Sequence, residues 1–386
     1  MTLLELGAVI LGLAVLARIA ARFDLPTAPL YLLAGLAFGE GGIVPLVTTG
    51  HFVETGAEVG LVLLLFVLGL EHSSRDLIAT ARASASAGVA DVLLNATPGV
   101  LVALLFGWGP LAAAFLAGIT YVSSSGVAAK LLEHAGPHAR DAGRFVITIA
   151  VIEDFVMALY LPFLAALLVG GDAFGSILAA LIAVIVVVAV LAIGTRVEVG
   201  VSRAIFSRSD EALLLSILGF AFLIAGVAEV AKFSAVVGAL LAGILLSGPA
   251  ARNAQALVRP LRDLFAAFFF VFIGLSIDPS TIPSVLGWAV LVGVVTAATK
   301  VLTGWWAGRS LEPDRRARAV VGAALVPRGE FALAIAGLAA GSAVDERLGP
   351  FTVTYVIITI VIGSIATRIL SNRADRAPAD PAAIHG

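Results

Sequence analysis

The sequence predicts an all-α polytopic membrane protein of about thirteen transmembrane helices, and three observations carry that expectation. Of its 386 residues, 60% are hydrophobic and only 13% charged, roughly half the charged fraction of a soluble domain. The apolar residues gather into runs near the roughly 17–25 residues that a bilayer crossing needs. Lys and Arg fall almost entirely in alternate gaps between those runs. The chain has no cysteine and a net charge of −2. Disulfides and thiolate metal sites are therefore excluded, and nothing points to nucleic acid.

The predicted spans are 3–21, 25–40, 55–71, 84–107, 111–132, 144–169, 174–195, 210–229, 233–248, 262–277, 283–307, 317–341 and 350–370. No Lys or Arg precedes the apolar run Leu3 to Ala17, and Arg18 and Arg22 follow it. That order is the reverse of a cleaved signal, so the run is read as a retained first helix with its N-terminus outside. The even-numbered crossings then return the chain outward. Gaps assigned to the cytoplasm hold, among others, Arg75, Arg82, Arg140, Arg196, Arg208, Arg252 and Arg315, while the outer gaps hold Lys232 and Arg347. Positive charge marks the cytoplasmic side. The expectation is a multi-pass protein of the cell (inner) membrane with a cytoplasmic C-terminus. Apart from basic residues at span ends, only Lys300 and Arg328 lie inside spans.

An internal repeat runs through these segments. Leu32-Leu33-Ala34-Gly35 returns as Leu240-Leu241-Ala242-Gly243, and Phe66-Val67-Leu68-Gly69-Leu70 is echoed by Val271-Phe272-Ile273-Gly274-Leu275. The copies stand seven spans apart, an odd offset that inverts one against the other. Inverted repeats place a transporter's binding site near the midplane between them. A membrane domain of residues 1–373 is expected. Repeat one covers about 3–169, a linking helix about 174–195 and repeat two about 210–370, before a short disordered cytoplasmic tail at 374–386.

Ionisable residues at the bilayer centre are costly and face a cavity or a partner. In the sixth span Ile149-Ala150-Val151-Ile152 leads into Glu153 and Asp154. Neighbours on a helix diverge by about 100°, so one carboxylate can face a protein partner and the other an aqueous site. Lys300, deep in the eleventh span, is the expected counter-charge for Glu153. Two spans carry breaks: Thr120-Tyr121-Val122-Ser123-Ser124-Ser125-Gly126 concentrates hydroxyls, and Val326-Pro327-Arg328-Gly329-Glu330 sets Pro, Gly and two charges mid-span. Interrupted helices expose carbonyl ends toward a cation and amide ends of opposite sign. Asp91 and Asn95, four apart on one helix face, either line the site or satisfy one another, with structural support the favoured role.

These motifs resemble the second cation:proton antiporter family, which includes Kef-type potassium/proton and NapA-type sodium/proton exchangers. The resemblance covers about Leu3 to Leu370. It rests on Gly60 to Phe66 through Gly69-Leu70-Glu71, Ser123–Ser125, Glu153-Asp154, Phe268-Phe269-Phe270 through Gly274 to Asp278, Lys300, and Pro327-Arg328-Gly329-Glu330. It implies a NapA-like fold with two crossing broken helices, a homodimer, and sodium or potassium exchanged for protons without a cofactor. By this resemblance Asp154 is the residue that alternately holds a monovalent cation and a proton, and Glu153 is its lysine-paired neighbour. Sodium exchangers carry aspartate where Glu153 stands, and Kef-type chains usually glutamine. Kef-type chains also continue into a cytosolic nucleotide-binding domain, so any such regulator here is expected as a separate subunit.

Two other classes fit less well. For an intramembrane protease, the adjacent Glu153-Asp154 is not a pair of aspartates on two helices, and there is no His-Glu-x-x-His helix. Ser123-Ser124-Ser125-Gly126 lacks both the leading Gly of a Gly-x-Ser-Gly motif and a membrane histidine. An uncoupled cation channel is only weakly excluded by sequence, because a cation pathway also favours buried acids. One further expectation concerns stoichiometry. If a cation draws Glu153 away, Lys300 loses its partner and a proton, and two protons exchange for one cation. If the Glu153–Lys300 pair stays closed, only Asp154 titrates and exchange is electroneutral. The first version is slightly favoured.

Overall fold

The computed structural model describes residues 3–23, 26–39, 41–42, 51–71, 85–133, 143–169, 173–205, 207, 209–231, 234–246, 251–307, 315–339, 342 and 344–375. Every regular element among them is helical. In chain order these are α1 (Leu3–Arg22), α2 (Thr27–Phe38), α3 (His51–Leu70), α4 (Ala85–Leu105), α5 (Gly109–Tyr121) and α6 (Ser125–Glu133). Then follow α7 (Gly143–Val169), α8 (Ala173–Ile205), α9 (Asp210–Val230), α10 (Ala235–Leu246) and α11 (Ala251–Leu275). A single 3-10 turn leads into α12 (Ile282–Ala307), α13 (Arg315–Ala324), α14 (Glu330–Ala339) and α15 (Leu348–Asp375).

Each of the thirteen predicted spans holds a helix, and the fifth and twelfth are split as expected, into α5 and α6 and into α13 and α14. Three boundaries differ. α8 runs on to Ile205 and α11 begins at Ala251, because residues 196–205 and 251–261 are helical but too polar for hydropathy to register. α15 continues through Asp375, so the first two residues of the expected tail are helix, and residues 376–386 lie outside the described set. Among the described residues six helical segments, including Ser86–Leu105, Thr148–Leu168 and Pro279–Trp306, are long and apolar enough to cross a membrane. Their exposed large side chains are apolar, as on Leu93, Leu101, Leu223, Val227, Leu291 and Val294. Such faces suit lipid rather than water.

Local sequence explains the turns. Trp108 stands between Gly107 and Gly109, at φ 67° and 88°, a left-handed bend that only glycine enters cheaply. Pro110 follows in the first turn of α5, where its missing amide costs nothing. Ser209 caps α9 by accepting from the Ala212 amide at 3.5 Å, with Asp210 and Glu211 in the first turn.

The helices divide into two groups. α2, α3, α10 and α11 pack on one another with α1 and α9 outside them, while α4 to α7 pack with α12 to α15. The first group is held by reciprocal glycine pairs. A Cβ on Gly35 would collide with the Val271 carbonyl and the Gly274 backbone, and a Cβ on Gly274 would collide with the Leu32 carbonyl and Gly35. Gly243 and Gly69 oppose each other in the same way, through the Phe66 and Leu240 carbonyls. Small residues let backbones approach this closely in lipid. The two faint sequence repeats are thus the two halves of each crossing: the glycine of one Leu-Leu-Ala-Gly copy meets the Gly-Leu copy of the other repeat.

Candidate ion-binding site

The two broken helices meet at residues 122–124 and 325–329. The Ser124 amide donates to the Pro327 carbonyl at 2.8 Å, joining the two extended stretches. Gly329 is required here, since a Cβ on it would stand 2.6 Å from Ser124 Oγ. Breaking both helices exposes four helix ends inside the protein, and each end is matched by a charge.

Arg328 closes the carbonyl ends. Its Nε and Nη2 donate to the Thr120 carbonyl at 3.0 and 2.8 Å, and Nη1 donates to the Leu325 and Val326 carbonyls at 3.1 and 2.7 Å. The side chain is fully buried. A guanidinium carries its donors in a rigid fork, so one residue satisfies the C-terminal ends of both α5 and α13. This corrects one expectation: these carbonyls are taken by a resident positive charge rather than left open to a cation. The Arg328 amide donates to Thr359 Oγ1 at 3.2 Å, tying the break to α15.

The amide ends face acids. At the start of α6 the Ser123 amide donates to Glu153 Oε2 at 2.6 Å, and Ser123 Oγ donates to Oε1 at 3.0 Å. Helix N-termini favour such negative charge. Glu330 opens α14 at the opposite N-terminus and accepts from Ser124 Oγ at 3.0 Å.

Lys300 pairs with Glu153, as the sequence predicts, with Nζ donating to Oε1 at 2.5 Å. It also donates to both oxygens of Asp91, at 2.8 and 3.0 Å. Asp91, Glu153 and Lys300 are each at most 1% exposed. Asn95 donates to Asp91 Oδ1 at 2.8 Å and to its carbonyl at 2.9 Å. Thr299 Oγ1 donates to Asn95 Oδ1 at 2.8 Å, and Asn95 Nδ2 reaches Thr303 Oγ1 at 3.2 Å. Asp91 and Asn95 therefore satisfy one another, and Asp91 also holds the lysine, a contact not expected from the sequence. Lys300 Nζ also lies 5.3 Å from the centroid of the Tyr121 ring. Thr299, Thr303 and Tyr121 were not singled out from sequence. The signal was present in the spacing of Thr296, Thr299, Lys300 and Thr303, three or four apart on one helix face.

Asp154, the next residue on α7, is 7% exposed. It lies within electrostatic reach of Glu330 and Tyr121. A cleft of about 470 Å³ runs between α2, α3 and α11 on one wall and α6 with the tip of α14 on the other, and ends at Ser124, Ser125 and Glu330. Its mouth holds Glu71, Lys130, Arg262 and Asp263. Asp154 is not among the residues that line it, whereas Ser124 and Glu330 are. Thr120 lends only its carbonyl, and its hydroxyl donates to the Leu116 carbonyl at 2.9 Å. A smaller apolar cavity of about 240 Å³ lies among Leu61, Leu161, Val236, Val237, Ala334 and Leu338, between the same two helix groups.

Discontinuous helices that cross beside buried charges are the usual setting of an ion site in a secondary transporter. The family model described as "sodium/hydrogen exchanger, transmembrane" matches residues 8–373. The chain belongs to the sodium/hydrogen exchanger family. The potassium/proton antiporter subunit KhtU of Bacillus subtilis is 29% identical over 373 residues, which cover 94% of this chain and 92% of the relative. The ammonium/proton antiporter subunit AmhT of Alkalihalophilus pseudofirmus is 28% identical, covering 97% and 94%. The fold matches that of the sodium proton antiporter MjNhaP1 from Methanocaldococcus jannaschii, with a TM-score of 0.69 at 14% identity over 96% of this chain and 97% of that one. As a member of this family the chain is a multi-pass membrane protein and a cation/proton antiporter.

Proposed function

We propose that the antiporter exchanges a monovalent cation for a proton across the cell membrane, with Asp154 as the carboxylate that holds each in turn. The observation that carries this is the division of labour between two adjacent acids. Both oxygens of Glu153 are committed, to Ser123 and to Lys300. Asp154, the next residue on the same helix, points about 100° away from Glu153 and lies within electrostatic reach of Glu330. A carboxylate there binds a hard cation through oxygen or binds a proton, but not both. That competition couples the two fluxes. Lys300 and Glu153 hold the crossing in register, Thr120, Pro327 and Arg328 fix its polarity, and Ser123 to Ser125 with Glu330 line the approach.

The relatives bear on the cation. Those named above act on potassium and ammonium, and the Synechocystis relative NhaS3, 28% identical, is a sodium/proton antiporter. The proposed substrate class is therefore potassium or sodium. KhtU and AmhT are each called a subunit, which supports a separate cytosolic regulatory partner, beside the homodimer that the family resemblance implies. The distribution of Lys and Arg supports an outer N-terminus and a cytoplasmic C-terminus, with the Lys130–Arg262 mouth of the cleft on the cytoplasmic side. Cysteines at Arg259, in the first half of α11, and at Ser280, in the turn after its far end, should then label from inside and outside respectively. Labelling of both from one face contradicts the orientation.

In proteoliposomes an imposed potassium or sodium gradient should drive proton movement in the opposite direction, without added ionophore. Cation flux that leaves internal pH unchanged would show a channel instead.

A further inference from the structure

Asp91 gives Lys300 a second, permanent counter-charge, and we infer from it that exchange is electroneutral, one proton for one cation. The inference rests on the reading of Asp154 as the exchange carboxylate and extends it to stoichiometry. Two-for-one exchange requires Lys300 to give up its proton when a cation at Asp154 draws Glu153 aside. That release follows only if Glu153 is the lysine's sole partner. The geometry places Asp91 against the same ammonium, bonded through both oxygens at 2.8 and 3.0 Å. With Glu153 withdrawn, the ammonium keeps two charge-assisted bonds. A buried lysine loses its proton when its charge is stranded, and this one is not stranded.

The Asp91 bond is also built to persist. Asn95 pins Asp91 from one turn away, and Thr299 and Thr303, on either side of Lys300, hold Asn95. The clamp therefore joins α4 to α12 at several points. Both helices belong to the group that carries the crossing, so sliding of that group against α2, α3, α10 and α11 leaves the clamp intact. Glu153 is anchored to Ser123 at the crossing itself, where a cation arriving at Asp154 acts first. Tyr121, whose ring lies near the ammonium and whose hydroxyl is buried without a hydrogen-bond partner, adds no charge to this arrangement. Asp91 is thus a positioning residue: it acts through Lys300 and touches neither transported ion.

The experiment is the reversal point of exchange in proteoliposomes under imposed membrane potential, measured with the purified full chain. One net charge per cycle would move the balancing cation gradient roughly fifty-fold for each 100 mV, from about 2.3 kcal/mol per charge. The wild type should not move. Asp91→Asn should acquire a shift approaching that size, because Lys300 then depends on Glu153 alone, and Asp91→Glu should restore indifference. A wild type that shifts overturns electroneutrality, and an Asp91→Asn that exchanges without shifting overturns the role of Asp91. Should Asp91→Asn fail to fold or exchange, Asn95→Ala takes its place. It loosens Asp91 while keeping every charge and should give a smaller shift in the same direction, and an unmoved Asn95→Ala overturns the role equally. Failure of the underlying reading looks different: Asp154→Asn would then still exchange cation for proton at any potential.

Discussion

The two places where the inverted halves of this antiporter meet are built on opposite plans. Where α2 crosses α11 and α3 crosses α10, glycine meets glycine, Gly35 on Gly274 and Gly243 on Gly69, with backbone against backbone. Where the broken helices cross, the equivalent positions have diverged. One break supplies hydroxyls and amides through Ser123 and Ser124; the other supplies a fixed positive charge through Arg328 and an acid through Glu330. Symmetry survives where only close packing is asked of the chain. It is broken where ions must be told apart, because a site with two identical halves would place like charges together. The packing region resists change through shape, and the crossing resists it through unsatisfied polar groups.

The largest test of that contrast is Arg328→Met. It keeps an apolar stem of similar length and strands the Thr120, Leu325 and Val326 carbonyls. Each unpaired buried group costs about 1–3 kcal/mol, so a loss on the order of 3–5 kcal/mol is expected. Thermal unfolding of the detergent-solubilised protein measures it. A melting temperature near that of the wild type would show that the helix ends are satisfied in some other way.

Gly35→Ala and Gly243→Ala come next. Each adds one methyl group against backbone that has no far end to swing aside, and should cost about 1–3 kcal/mol. The account predicts similar losses from the two, since they are the same contact in inverted copies. A large loss from one and none from the other would mean that the packing symmetry is only apparent.

Much of this was legible in the sequence, for identifiable reasons. Spans are legible because lipid demands long apolar runs, and the breaks because Pro327 and Gly329 cannot sit quietly in a helix. The Glu153–Lys300 pair is legible because ionisable groups in lipid are so rare that each implies another. What could not be read is how a given charge chooses among several partners. Asp91 and Lys300 are 209 residues apart, and nothing in either segment says that Asp91 faces the lysine as well as Asn95. Arg328 likewise reads as a charge near a break, while its role as the plug of both carbonyl ends depends on how two half-helices cross. The polar extensions of α8 and α11 escaped because hydropathy reports lipid contact rather than helix.

The smallest expected effect lies outside both regions. The side chain of Arg347, through its hydrogen bonds, holds the Asp345 carboxyl below its ordinary range in the loop before α15. A depressed carboxylate contributes stability that is present above its unfolded value of about 3.9 and is lost as pH falls through the folded value. The pair is largely open to solvent, so Arg347→Ala should cost less than about 1 kcal/mol at neutral pH. That difference from the wild type should shrink in acid to what the contact of Arg347 with the Trp108 ring contributes. Unfolding measured at several pH values checks it, and a difference that grows on acidification would contradict the sign.

The central claim is that Asp154 alone exchanges cation for proton while Glu153 stays with Lys300. It is tested most directly by adding potassium or sodium to the purified protein in weakly buffered solution and recording the proton released. The wild type should release about one proton per chain, because a cation and a proton compete for one carboxylate. Asp154→Asn, still folded, should release none, and Glu153→Gln should still release one. Undiminished release from Asp154→Asn would contradict the account.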